Sequence, residues 1–172
     1  QGESLRTALD EGDVDGVEAL PHIRRLVAKL LLARGTDVNR QNSSGDTAVI
    51  IAARNGRVKL VRLLAELGAD VKTPMNDGTT PACIAAANGH LEVLRLLAEL
   101  GADVETPDNN GWTPASIAAH NGHLEVLRLL AELGANVDTP VNDGGTPAFM
   151  AARDGHEEGV RAVAEHRADA NT

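Results

Sequence analysis

A period of 33 residues constrains this chain more than any other feature of its sequence. Gly68-Ala69-Asp70 recurs as Gly101-Ala102-Asp103 and Gly134-Ala135-Asn136, each 33 residues later, and Gly35-Thr36-Asp37 precedes them by the same step. Thr80-Pro81, Thr113-Pro114 and Thr146-Pro147 keep that spacing, with Thr47-Ala48 as a weaker first member. Asn55-Gly56, Asn88-Gly89, Asn121-Gly122 and Asp154-Gly155 form a third series. Three independent markers locked to one period require a repeat architecture, in which each unit buries its apolar side on its neighbours.

The punctuation inside one period predicts two helices, as residues 76–108 show. Asp77-Gly78 is a turn signal, because glycine relieves a positive φ. Thr80 offers a hydroxyl as N-cap, and Pro81 sits at the first helical position, where its missing N–H costs nothing. Residues 82–88 form a short inner helix rich in alanine, and Asn88-Gly89 closes it in a left-handed conformation. From His90, the apolar Leu91, Val93, Leu94, Leu96, Leu97 and Leu100 follow a helical stripe that leaves Glu92, Arg95 and Glu99 outside. Gly101 ends this outer helix. Residues 102–107 return in extended form, kept out of helix by Thr106-Pro107. Neither helix can bury its apolar face alone; stacked copies can.

The pattern Asp-Gly-x-Thr-Pro-x-x-x-Ala-Ala-x-Asn-Gly-His-Leu-Glu-Val-Leu-x-Leu-Leu-x-x-Gly-Ala-Asp-Val resembles the ankyrin repeat. The match is highly specific over residues 43–166 and partial outside them. The resemblance implies an all-α fold, a solenoid of stacked helix-turn-helix units with projecting β-turn fingers, whose concave face binds other proteins. On this reading residues 43–75, 76–108 and 109–141 are repeats and residues 142–172 a C-terminal repeat or cap. Two departures from the family stand out. Where the family reads Thr-Pro-Leu-His, this chain has Cys83, Ser116 and Phe149 in place of the histidine, so its inter-repeat hydrogen bonds must be lost or replaced. The family's asparagine after Asp-Val survives only as Asn39, with Lys72, Glu105 and Asp138 at the later positions.

Both ends differ from the middle. Residues 1–42 read as an atypical N-terminal repeat or cap. The interval from Gly12 to Gly35 is 23 residues against 12 from Gly56 to Gly68, a surplus of 11 near residues 21–31. Residues 4–10 are expected to be helical and residues 13–20 to be an irregular or helical insertion. Toward the C-terminus the outer-helix stripe becomes more polar, with Glu157, Gly159 and His166 where Leu91, Val93 and Leu100 stood. Arg167 replaces the expected glycine and would be strained if left-handed. Residues 168–172 resemble the start of another return loop.

Composition narrows the function classes. The net charge is −9, with 25 acidic against 16 basic residues, so a phosphate backbone is on balance repelled and nucleic acid is excluded as a partner. Cys83, the single cysteine, excludes an intrachain disulfide and thiolate metal clusters. The longest apolar run, residues 26–33, is broken by Lys29 and falls short of a membrane span. The polar start, Gln1-Gly2-Glu3-Ser4, has neither a signal peptide's pattern nor an initiator methionine, which reads as an excised or processed piece. A monomeric, intracellular and cytoplasmic protein is expected.

Internal comparison locates the candidate site. Residues 76–108 and 109–141 share 26 identities and differ at seven positions. Four differences fall on the finger or inner helix (Asp77/Asn110, Thr79/Trp112, Cys83/Ser116, Ala87/His120) and three in the return loop (Asp103/Asn136, Glu105/Asp138, Asp108/Val141). None touches the outer helix. A constant scaffold under a changing inner surface is what a modular recognition face requires, although drift at exposed positions also produces it. The partner-binding candidates are Asp46, Arg54, Asp77, Thr79, Ala87, Asn110, Trp112, His120, Asp143 and Arg153. Trp112 is the sharpest, because nothing in the repeat demands a large ring there and tryptophan buries much area with few rotors. Its alternative role is packing across a neighbouring finger.

Catalytic chemistry is thin. His90, His123 and His156 recur with the repeat and read as turn and helix-start residues. Gly122 separates His120 from His123, which removes a helical metal pair. Cys83 reads as a buried, inert thiol. The glycines cap helices and form no phosphate loop. No catalytic residue, metal ligand or cofactor site is assigned. Two readings remain: a non-catalytic protein-interaction module using the inner-helix and finger surface, or a structural spacer or engineered, consensus-like repeat scaffold without a dedicated partner.

Overall fold

Thr47, Thr80, Thr113 and Thr146 each start a helix in the same way in the computed structural model. Each threonine is extended, and its hydroxyl accepts the main-chain N–H three residues on, from Ile50, Cys83, Ser116 and Phe149, at 3.2–3.3 Å. The structure describes residues 37–170; those from Asn39 onward belong to one unit. The capped inner helices are α1 (Ala48–Arg54), α3 (Pro81–Ala87), α5 (Pro114–His120) and α7 (Pro147–Arg153). Each is followed by an outer helix: α2 (Val58–Glu66), α4 (Leu91–Glu99), α6 (Leu124–Glu132) and α8 (Glu157–Ala170).

The inner helices are short because Gly56, Gly89, Gly122 and Gly155 follow with positive φ, where a helix cannot continue. Each inner helix packs on its own outer helix and on the next inner helix, and outer helices line up behind them. Alanine at the buried positions lets inner helices approach closely: Ala53, Ala86 and Ala119 are sealed. The outer stripe supplies the larger side chains, and Val93, Leu94, Leu96 and Leu97 are buried, as are Val126, Leu127, Leu129 and Leu130. Leu91 is only half-buried and Leu100 is exposed, so the stripe is narrower at both ends than its sequence implies.

The fold is all-α among the described residues, with turn fingers between the pairs. In each finger one residue's N–H meets a carbonyl four residues on: Asn42 to Asp46, Met75 to Thr79, Asp108 to Trp112 and Val141 to Gly145, at 2.9–3.1 Å. Two expectations change. Arg167 is not a left-handed cap, since α8 runs on through Ala170 and every positive φ among the described residues belongs to glycine. With neither glycine nor proline to stop it, the helix continues into the residues expected to turn back. The expected helix over residues 4–10 and the insertion near residues 21–31 lie outside the described residues.

Candidate protein-binding surface

The residue that closes each finger does so through its main-chain carbonyl, and only Asp46 adds a side-chain bond within the finger, from Asn42 Nδ2. Asp46, Thr79, Trp112 and Gly145 each lend a carbonyl to the turn, so the bond common to all four fingers makes no demand on the side chain at this position. That is why four different residues are tolerated there. The fingers are tied to one another as well: the N–H groups of Asn76, Asn109 and Asn142 donate to the carbonyls of Ser44, Asp77 and Asn110.

Trp112 stands half-buried on its finger. Its N–H donates to Asp108 Oδ1 at 2.9 Å, and Asn110 donates to the same oxygen at 2.8 Å, which fixes the turn. The indole meets the His120 ring edge-on, with centroids 5.4 Å apart and planes at 65°. His120 Nδ1 is in turn 2.6 Å from Asp154 Oδ2. Arg153 reaches both groups, with Nε 3.1 Å from Asp154 Oδ1 and Nη2 3.2 Å from His120 Nδ1. The Arg153 guanidinium, and then His120, hold the Asp154 carboxyl below its usual range. Trp112, with His120 and Arg153 expected as polar contacts beside it, therefore forms one braced patch with them. Its fourth member, Asp154, was not predicted. The available signal was its being the one aspartate in the Asn-Gly series.

The first described finger is different. Arg54 Nη2 donates to Asp46 Oδ1 at 2.6 Å, and Asn42 Nδ2 donates to Asp46 Oδ2 at 3.0 Å. Both bonds, the arginine's first, lower the Asp46 carboxyl from its ordinary value. Asp46 and Arg54 are thus brought together as each other's partner. Asp77 Oδ1 accepts the Thr79 N–H and Asp143 Oδ1 that of Gly145, both at 2.9 Å, so these carboxylates shape their own turns. The Thr79 N–H also holds the Asp77 carboxyl low. Asn110 is exposed, and Thr79 and Ala87 are half-buried between the two charged patches.

Cys83 is buried, and burial pushes its thiol up from the ordinary value, consistent with an inert side chain. Its sulfur lies 3.7 Å from the Thr106 carbonyl and 3.9 Å from that of Trp112, so it packs under the next finger. The recurring histidines do more than start helices. The Nε2 atoms of His90, His123 and His156 lie 3.0 Å from the carbonyls of Arg54, Ala87 and His120, each in the preceding pair. A histidine tie between repeats therefore exists, at the helix junction instead of the Thr-Pro motif. In the return loops, Asn39 Oδ1 accepts the Asp70 N–H at 2.7 Å and Glu105 Oε1 accepts that of Asn136 at 2.5 Å. Glutamate replaces asparagine as the acceptor there, so this internal difference is not free surface.

Stacked helix pairs, laddered fingers and a junction histidine in three of the four pairs define a helical repeat protein. The family model for ankyrin repeats (three copies) matches residues 19–108 and 100–172. The chain belongs to the ankyrin repeat family, whose members are generally protein–protein interaction modules. No curated protein matches the chain. Among the described residues, no helix is long and apolar enough to cross a membrane.

Proposed function

We propose that this chain binds another protein through the concave face of its inner helices and fingers, with Trp112 as the anchor. The observation that carries this reading is the bracing of the indole. Its finger needs only its main chain, while His120, fixed by Asp154 and Arg153, holds the half-exposed ring in place. A ring ordered in advance loses little entropy on binding and buries a large area. Enzyme chemistry has little support, because Cys83 is sealed and the titratable groups of the face are spent on their own turns and neighbours.

The spacer reading draws on the same pairing: Arg54 and Arg153 are occupied by Asp46 and Asp154 and offer little free charge to a partner. Affinity capture with wild type and with a Trp112→Ala, His120→Ala double variant, followed by direct titration of what is retained, separates the two. Trp112→Ala should weaken binding by at least about 1 kcal/mol with helicity unchanged. Unchanged affinity would reject the anchor, and indistinguishable capture by both proteins would favour the spacer.

A further inference from the structure

The four described fingers hold their turns in two ways. Where the opening residue is polar, its own side chain closes the turn. Asn42 Oδ1 accepts the N–H groups of Ser44 and Asp46 at 2.9 and 2.8 Å, and Asp108 Oδ1 accepts those of Asn110 and Trp112 at 2.8 and 2.9 Å. Where the opening residue is apolar, as at Met75 and Val141, the residue two further on takes over. There Asp77 and Asp143 accept the N–H groups of Thr79 and Gly145. Asn110 occupies the position of Asp77 and Asp143 in a finger that Asp108 already closes. Its side chain is exposed and makes no hydrogen bond among the described residues.

Asn110-Gly111 is one of four Asn-Gly steps in the sequence. Asparagine before glycine is chemically labile, since glycine carries no Cβ to hinder attack by its nitrogen. The other three steps close inner helices, and there the asparagine amide is tied down. Asn55 Nδ2 and Asn88 Nδ2 donate to the carbonyls of Ile51 and Ile84 at 2.8 Å, and Asn121 Nδ2 donates to that of Ala87, across a repeat boundary, at 2.9 Å. In all four steps the glycine N–H donates to a carbonyl three residues back, at 3.0–3.3 Å. The nitrogen is therefore held alike in each, and only at Asn110 does the side-chain amide lack a restraint. Releasing Gly56, Gly89 or Gly122 also unwinds a helix end, whereas releasing Gly111 opens a single turn.

We propose that Asn110-Gly111 is a site of spontaneous deamidation in the folded protein, reacting ahead of the three helix-closing steps. Hydroxide removes the Gly111 N–H proton, the nitrogen attacks Asn110 Cγ, and the Cγ–Nδ2 bond breaks. Nδ2 takes a proton from water and leaves as ammonia, which regenerates the hydroxide. Water then opens the resulting five-membered imide. Addition at Cγ leaves aspartate at 110; addition at the main-chain carbonyl leaves isoaspartate, with the chain running through Cγ. Aspartate is what Asp77 and Asp143 already supply at this position, so the finger accepts it and gains one negative charge two residues from Trp112. Isoaspartate lengthens the main chain by one carbon and takes out of the peptide the 110 carbonyl that accepts the Asn142 N–H at 3.1 Å. The tie from this finger to the next is then lost. The reaction needs no partner and is independent of whether Trp112 anchors one.

Peptide mapping by mass spectrometry tests this on the 172-residue chain, kept folded in mildly alkaline heavy-oxygen water and, in parallel, unfolded in guanidinium chloride. Each conversion takes up one solvent oxygen. In the folded chain residue 110 should convert at least about tenfold faster than residues 55, 88 or 121, while in guanidinium the four rates should lie within about threefold. The isoaspartyl fraction should exchange its Asn142 amide at least about tenfold faster than unreacted chain, and Asn110→Asp should not. Comparable rates at all four sites of the folded chain, or a faster one elsewhere, overturn the proposal. So does an Asn110 that stays intact while the unfolded sample reacts. An equal preference for residue 110 in guanidinium would trace it to neighbouring sequence and overturn the structural assignment, and unchanged Asn142 exchange would overturn the effect on the finger.

Discussion

His120 Nδ1 and Asp154 Oδ2 stand 2.6 Å apart across the boundary between α5 and the α7–α8 pair. Both side chains are partly exposed, so water and salt screen the pair and its contribution to stability is small. Its effect is geometric. The carboxylate fixes the imidazole, the imidazole fixes the indole edge of Trp112, and a finger residue of one repeat is thereby oriented by the next.

Acid should loosen this brace. Asp154 titrates below its ordinary value of 3.8 in the folded chain, so the unfolded chain binds more protons as the pH falls. The carboxylate's contribution is complete above that ordinary value and is lost as the pH falls through the lower folded one. Asp154→Asn should be slightly less stable than wild type near neutrality, and the two should converge once the pH has fallen below the carboxyl's lowered folded value. Urea midpoints measured across the acid range check this. A gap that persists at the acid end would place the loss elsewhere than in the carboxylate's charge.

Leu97 is fully buried in α4, a helix that packs against both the preceding and the following outer helix. Leu97→Ala should destabilise by about 2–5 kcal/mol, the transfer loss plus an unfilled cavity. Denaturant unfolding reads it directly. A loss of under about 1 kcal/mol, the size of a surface substitution, would mean that neighbouring helices collapse into the space or that the stripe does not carry the core.

Gly89 and Gly155 separate backbone strain from packing. Both are left-handed, with φ of 70° and 77°, so alanine costs about 1 kcal/mol at either. At Gly89 the new Cβ would also lie 2.8 Å from His123 Nδ1, displacing the ring that reaches the Ala87 carbonyl. Gly89→Ala should therefore cost at least about 1 kcal/mol more than Gly155→Ala, the worth of that hydrogen bond and its packing. Equal losses would show that the histidine tie contributes nothing to stacking.

Much of this was legible in the sequence because the determinants are local. A threonine before proline, a glycine after asparagine and a leucine stripe each act within one turn of helix, and caps, breaks and core followed from them. What was missed acts across a boundary. His123 carried no sign that its partner is a carbonyl 36 residues earlier, and Asp46 and Arg54 read as open to a partner because their mutual pairing spans a finger and a helix. At Arg167 the strain that a left-handed cap would carry does not arise, because nothing local stops α8. Exposure of Phe149 was invisible, since its equivalents Ile50, Cys83 and Ser116 are all buried.

Ala162 tests whether the weaker C-terminal pair is limited by packing. It takes the place of Leu96 and Leu129, both buried, and between α8 and α6 lies a groove whose apolar lining is Leu127, Ala131, Val137 and Ala162, edged by Arg128, Glu132 and Glu165. Ala162→Leu returns three carbons to that groove at little cost in helix propensity. Partial burial of those carbons should stabilise the chain by about 1 kcal/mol. Ala164, exposed on the same helix, is the control: Ala164→Leu should stay within about 0.5 kcal/mol of wild type. Equal effects at the two sites would trace any gain to general hydrophobicity. A gain confined to Ala162→Leu would show that the polar outer helix is held back by missing volume where it meets α6, independently of the charge it carries to solvent.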